Sequence, residues 1–187
     1  MMIPDVVKDY IQSYHDGNIK LNKERILLIK QLENDVFLRE DLFFDEDTID
    51  KCIRFIERWY FELMPFQKFI ISFFFLFEEN GTRFYRKFFI MMGRGAGKNG
   101  LISGLAHFLI SEFHGVKGYN AAIIANSEDQ AKTSFKEIFD TIDESNLLKK
   151  AFDHKKAHIT SRKTKSSIEY LTSNAKTKDS RRDGISI

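Results

Sequence analysis

Cysteine is nearly missing from this chain, and that scarcity alone removes several functions. With Cys52 the single thiol in 187 residues, there is no internal disulfide and no cysteine-based zinc cluster. The usage fits a reducing, cytosolic setting. Proline is almost as scarce: Pro4 and Pro65 are the only two, and both stand where a helix is expected to begin. Long apolar runs are lacking too. Residues 1–10 hold no apolar stretch of the kind a secretory signal needs. The greasiest segment, from Phe66 to Phe77, is interrupted by Gln67, Lys68 and Ser72 and is far short of a membrane span. Net charge is only +2, so no global field draws the chain to nucleic acid. The sign is nevertheless uneven. From Lys149 to Arg182 the many basic residues are opposed only by Asp153, Glu169 and Asp179, whereas the stretch from Glu33 to Asp50 leans acidic. His107, His114, His154 and His158 have no spacing that completes a metal site. No Ser/His/Asp or Cys/His arrangement is legible.

What is present begins with helical patterning. Val6, Val7, Tyr10, Ile11 and Tyr14 fall at helical spacing after Pro4 and stop at Gly17; Leu21, Ile26, Leu28, Ile29, Leu32 and Val36 form a second pattern. A third follows the acidic Asp45-Glu46-Asp47, which suits the positive end of a helix dipole. Pro65 opens a fourth, phenylalanine-rich helix whose period marks it as core, and Asn80-Gly81 is expected to end it. Then the period changes. Lys87 to Met92 reads as a strand buried on both faces, followed by a glycine-rich loop and a helix from about Asn99 to Phe113. Gly100 and Gly104 would let that helix approach the sheet closely. Ala121 to Ala125 reads as a second buried strand, and Ser127 with Gln130 as a capping box for the next helix. Strands near Ala157–Thr160 and Ser167–Thr172 flank a Lys/Arg turn as a hairpin. This order predicts an α/β fold with a parallel sheet flanked by helices, preceded by an α-helical N-terminal segment.

The loop is the most telling feature. In Met92-Gly93-Arg94-Gly95-Ala96-Gly97-Lys98-Asn99, glycines let backbone N–H groups turn inward on a phosphate, and the helix start adds its dipole. Lys98 supplies a point charge to the β and γ phosphates. The fit to G-x-x-x-x-G-K-[ST] is imperfect, since Met92 replaces the first glycine and Asn99 the hydroxyl that meets Mg²⁺. The competing reading is a glycine-rich turn carrying one solvated lysine.

Taken in order, Pro65-Phe66-Gln67, the loop GRGAGKNG, the strand and cap from Ala121 to Lys132, and Lys178 to Gly184 resemble one family. It is the N-terminal ATPase domain of the large terminase subunit of tailed bacteriophages, the motor that packages DNA. The resemblance implies a P-loop NTPase fold over residues 63–187, incomplete at its C-terminus, behind a helical segment over 1–62. It implies ATP and Mg²⁺ as cofactors, with Gly93, Arg94, Gly95, Ala96, Gly97, Lys98 and Asn99 around the phosphates. Asn99 would meet the metal through its amide oxygen, Gln67 would lie near the adenine, and Arg94 at the γ-phosphate. Arg181 or Arg182 would reach a neighbouring subunit's nucleotide. Implied partners are double-stranded DNA, the small terminase subunit, the portal protein and further copies in a ring, in the bacterial host's cytoplasm and without a membrane. In the family the Asp-Gly pair precedes an apolar strand ending in Asp-Glu, the Walker B strand; here Asp183-Gly184 leads only to Ile187. ATPase activity is therefore expected of the full-length protein and not of this fragment. Alternatives are another P-loop NTPase, such as a helicase or nucleotide kinase, or a non-catalytic DNA-docking or assembly module. For that module the turn Arg162-Lys163-Thr164-Lys165 would be the phosphate-contacting feature.

Overall fold

A computed structural model describes residues 1–125, 127–155, 157–172 and 184–187. The chain divides into two compact units, one of residues 1–53 and 63–91, the other of residues 54–62 and 92–187.

In the first unit, helices α1 (Asp5–His15) and α2 (Lys23–Asn34) form where the periodicity predicts. Gly17 takes φ +75° beyond α1, a conformation that favours glycine, and the Asn22 side chain accepts from Arg25 N–H to cap α2. Helix α3 (Glu46–Trp59) starts on Asp45, whose carboxylate accepts from both the N–H and the hydroxyl of Thr48. Only the first half of α3 belongs to this unit. Cys52 lies there fully buried, and burial pushes its thiol well up, so it acts as a small core residue. Helix α4 (Pro65–Phe74) packs Phe69 against Tyr10 at 4.8 Å between ring centres.

Two expectations fail in this unit. The phenylalanine run does not continue as helix to Asn80: it breaks after Phe74, and β2 (Leu76–Glu78) pairs antiparallel with β1 (Leu42–Phe44). Phe43 stacks on Phe77 across that ladder, so the aromatic side chains stabilise a strand where the run reads as helix. Asn80-Gly81 is consequently a turn after a strand, with Gly81 at φ +78° donating to Glu78 O. The second failure concerns Lys87–Met92. This segment has no ladder partner among the described residues, and its exposure alternates: Phe89 is 92% and Met91 81% exposed, while Phe88 and Ile90 are half-buried. Phe88 stacks flat on Phe74 at 3.8 Å, which covers one face only. A strand buried on both faces requires hydrogen-bonded neighbours and two covering layers, and neither is in place.

The second unit holds a five-stranded sheet in the order β4-β5-β6-β3-β7, formed by β3 (Ala121–Ala125), β4 (Phe152–Lys155), β5 (His158–Ser161), β6 (Ser167–Thr172) and β7 (Ile185–Ser186). Strand β3 runs parallel to both β6 and β7, whereas β4, β5 and β6 are antiparallel neighbours. The sheet is therefore mixed, because the expected β5–β6 hairpin joins it directly. Helices α5 (Lys98–Ile110), α6 (Glu128–Asp143) and α7 (Asn146–Ala151) complete the unit. Ala106 and Ile110 of α5 with Phe135, Ile138 and Ile142 of α6 bury one core against Ala121, Ile123, Ile159 and Ile168. The Ser127 hydroxyl caps α6 by accepting from Gln130 N–H.

Tyr119 and Asn120 pin the start of β3 to its neighbours. Asn120 Oδ1 accepts from Ser167 N–H, and Asn120 O accepts from Gly184 and Ile185 N–H. The Tyr119 ring lies so close over Gly184 that a Cβ there would sit 2.6 Å from it. Among the described residues no helix is long and apolar enough to cross a membrane.

Candidate functional site

The glycine-rich loop of the second unit is a tight turn that opens directly into α5. Ala96 N–H donates to Gly93 O at 3.2 Å, closing the turn. Gly95 and Gly97 take φ +83° and +76°, a region that costs other residues about 1–2 kcal/mol. A side chain at Gly95 would meet nothing within 4 Å, so backbone conformation and not crowding demands glycine there. Gly97 is the residue before the first helical position, and no side chain caps that helix end. Lys98 is the first residue of α5, and Arg94, Lys98 and Asn99 are all exposed. No acidic residue stands in the helix's first turn. An uncapped, exposed helix start with its positive dipole end and Lys98 as its first residue, four residues after the exposed Arg94, is an arrangement suited to an anion.

Helix α5 differs from expectation at both its end and its face. It stops at Ile110, where the Ser111 hydroxyl donates back to Phe108 O at 2.7 Å. Gly100 and Gly104 serve a close approach to residues 54–62 instead of the sheet. A methyl on Gly104 would sit 3.0 Å from Ile56 Cγ1, and one on Gly100 would sit 2.7 Å from the Phe61 ring. Further along, His107 is fully buried, and burial lowers its pKa from 6.5 to about 3. Its Nδ1 lies 2.8 Å from the Tyr60 hydroxyl, while Nε2 is buried with no hydrogen-bond partner. Burial likewise pushes the Tyr60 phenol well up.

Gln67 belongs to the first unit, is 2% exposed, and accepts through Oε1 from Met64 N–H at 2.9 Å. Its carboxamide oxygen thus serves the start of α4. Arg181 and Arg182 lie outside the described residues. In the basic turn, Arg162 pairs with Asp153 at 3.0 Å and Lys163 with Glu112 at 2.5 Å, while the Thr164 hydroxyl is buried on Ile110 O. Lys165 takes φ +60°. His158 meets Glu169 at 2.7 Å and His154 meets Asp143 at 3.3 Å. Sequence reasoning missed the polar contacts of Tyr60, Ser103 and Glu137; the Gly100/Gly104 spacing marks a closely packed face of α5 but reads as facing the sheet.

A mixed sheet covered by helices, with a glycine loop delivering a lysine to the start of one of them, is an architecture that α/β nucleotide-binding domains share. Residues 65–187 match the family described as terminase large subunit, ATPase domain, and the chain belongs to that family. The fold is similar to the crystal structure of the HK97 bacteriophage large terminase, with a TM-score of 0.63 and 19% sequence identity over 74% of this chain. The chain spans 30% of that terminase's length. No curated protein matches it in sequence.

Proposed function

We propose that this chain is the ATP-binding part of a bacteriophage DNA-packaging motor, with its nucleotide-binding domain starting near residue 63 behind a helical segment. The observation that carries the reading is the loop itself: Gly95 and Gly97 at positive φ, opening into a helix whose uncapped first residue is Lys98. In the proposed complex the phosphates lie against the backbone of Gly93, Gly95, Ala96 and Gly97. Lys98 neutralises the β and γ phosphates, and Arg94 meets the γ-phosphate through its planar guanidinium. Gln67 is assigned to the adenine, a role that requires its carboxamide to be shared with the cap of α4. Arg181 or Arg182 is assigned to the nucleotide of a neighbouring copy in a ring.

Among the described residues no group of three His, Cys, Asp or Glu side chains could hold a metal. Asn99 offers one neutral oxygen, which does not make a metal site without the nucleotide's own phosphates. Turnover needs a carboxylate to orient water as well, and the proposal gives that role to none of the described carboxylates. Coupling to double-stranded DNA translocation, the small subunit and the portal, in the host cytoplasm, belongs to the full-length protein under this reading.

The test is titration with a fluorescent ATP analogue, comparing the wild-type chain with Lys98→Ala and Arg94→Ala. Saturable binding that Lys98→Ala abolishes and Arg94→Ala weakens is expected. Binding unchanged by Lys98→Ala would overturn the assignment.

A further inference from the structure

The first turns of α5 are held by a clasp that none of the phosphate-loop residues supplies. Glu137, in the third turn of α6, is half-buried. Its Oε2 accepts from the fully buried Ser103 hydroxyl at 2.7 Å, and the same hydroxyl lies 3.2 Å from Ser134 O. The other carboxylate oxygen reaches toward the bare Cα of Gly100, where it would sit 3.3 Å from an added methyl. The Phe61 ring meets the same point, at 2.7 Å from that methyl. Gly100 is two residues after Lys98, and Ser103 is five after it, so the clasp grips the turns that carry the lysine. Helix α5 has no side-chain cap of its own, so its N-terminal turn lacks the usual device that fixes a helix start.

We propose that Glu137 is a positioning residue for phosphate binding: through Ser103 and the closed face at Gly100 it fixes the first turns of α5, and so the lysine and N–H groups that meet the nucleotide. The inference rests on the reading of Gly93–Lys98 as a nucleotide site. The carboxylate touches neither nucleotide nor water in this role. It acts as a hydrogen-bond acceptor, and its charge is not required. Glycine at 100 is required for the same reason, since a side chain would displace Phe61 and Glu137 together.

The experiment measures ADP and adenosine affinity by calorimetry on the whole chain, with Lys98→Ala as the control for the site. Glu137→Ala and Ser103→Ala should each weaken ADP binding about tenfold, the upper scale of one ordinary lost hydrogen bond, while leaving adenosine affinity unchanged. The double variant should lose no more than either single one, because both remove the same contact. Glu137→Gln, whose amide oxygen still accepts from Ser103, should bind ADP within about twofold of wild type on the same argument. Hydrogen exchange across residues 98–103 should quicken in Glu137→Ala and not in Glu137→Gln. Wild-type ADP affinity in Glu137→Ala, or equal loss for ADP and adenosine, overturns the positioning role while sparing the site. ADP affinity unchanged in Lys98→Ala overturns the nucleotide reading, and this inference with it.

Discussion

Acid should unfold the second unit early, and His107 is the group responsible. The imidazole is fully buried among Phe55, Tyr60 and Phe152, with one nitrogen on the Tyr60 hydroxyl and the other without a partner. Burial lowers its pKa from 6.5 to about 3. Between those values the unfolded chain takes up a proton that the folded chain refuses, so stability is complete above 6.5 and drains away as pH falls toward 3. At about pH 4.5 the unfolded imidazole is two units past its midpoint, a loss of about 3 kcal/mol relative to neutral pH. That is a large share of the roughly 5–15 kcal/mol that holds a domain together. Asp143 does not confuse the comparison. Lys149 first and then His154 hold its carboxyl below 3.8, so its contribution is lost only at more acid pH. Trp59 is the single tryptophan and packs against the second unit's core, so its fluorescence reports urea unfolding of that unit. The variant His107→Phe keeps an aromatic ring against Phe55 and Phe152 but cannot titrate. Its stability at neutral pH is expected to drop somewhat, since Tyr60 loses a partner. Its further loss between about pH 7.5 and 4.5 should be smaller than wild type's by about 3 kcal/mol. An equal pH-dependent loss in the two proteins would refute the argument.

Three other perturbations have defined outcomes. Gly184→Ala should destabilise the second unit by about 1–3 kcal/mol in the same urea assay, because the Tyr119 ring lies 2.6 Å from the new methyl and its hydroxyl is tied to Gly184 O. Gly97→Ala should cost about 1–2 kcal/mol at φ +76° and weaken nucleotide binding more than it lowers stability, read by calorimetry beside urea unfolding. Ser127→Ala should remove about 1 kcal/mol by uncapping α6 without altering nucleotide affinity, and a larger affinity change would place that cap in the site.

Helices were the legible part of the sequence because burial imposes a period of 3.6 on them. Pro4, Pro65, Asn22 and Ser127 mark their starts in the structure as local chemistry dictates. Strand β3 and the β5–β6 hairpin were legible for a related reason, since turn residues and a short apolar run bound them. Two of the errors share one cause, the ambiguity of a short apolar run. A phenylalanine run satisfies helix and strand alike, and the antiparallel pairing with Leu42–Phe44, with Phe43 stacked on Phe77 across it, makes Leu76–Glu78 a strand. Lys87–Met92 reads as a doubly buried strand from its apolarity, but apolarity does not supply the hydrogen-bonded neighbours that strand would need. At the candidate site, the loop was visible because glycine is demanded by positive φ at Gly95 and Gly97. The Glu137–Ser103–Gly100 clasp was not, because Glu137 lies 34 residues from Ser103 and further still from Gly100, and the three share no motif. The family resemblance carried the ordered motifs from Pro65 onward, where residues 65–187 match the terminase large subunit ATPase domain.

The central claim is that nucleotide phosphates sit on the loop that opens α5. The most direct measurement is a crystal structure of this chain grown with ADP. The account predicts the β-phosphate within hydrogen-bond distance of the Lys98 ammonium and of backbone N–H groups between Gly95 and Asn99. An ADP molecule bound elsewhere, with Lys98 turned to solvent and the loop empty, would contradict it.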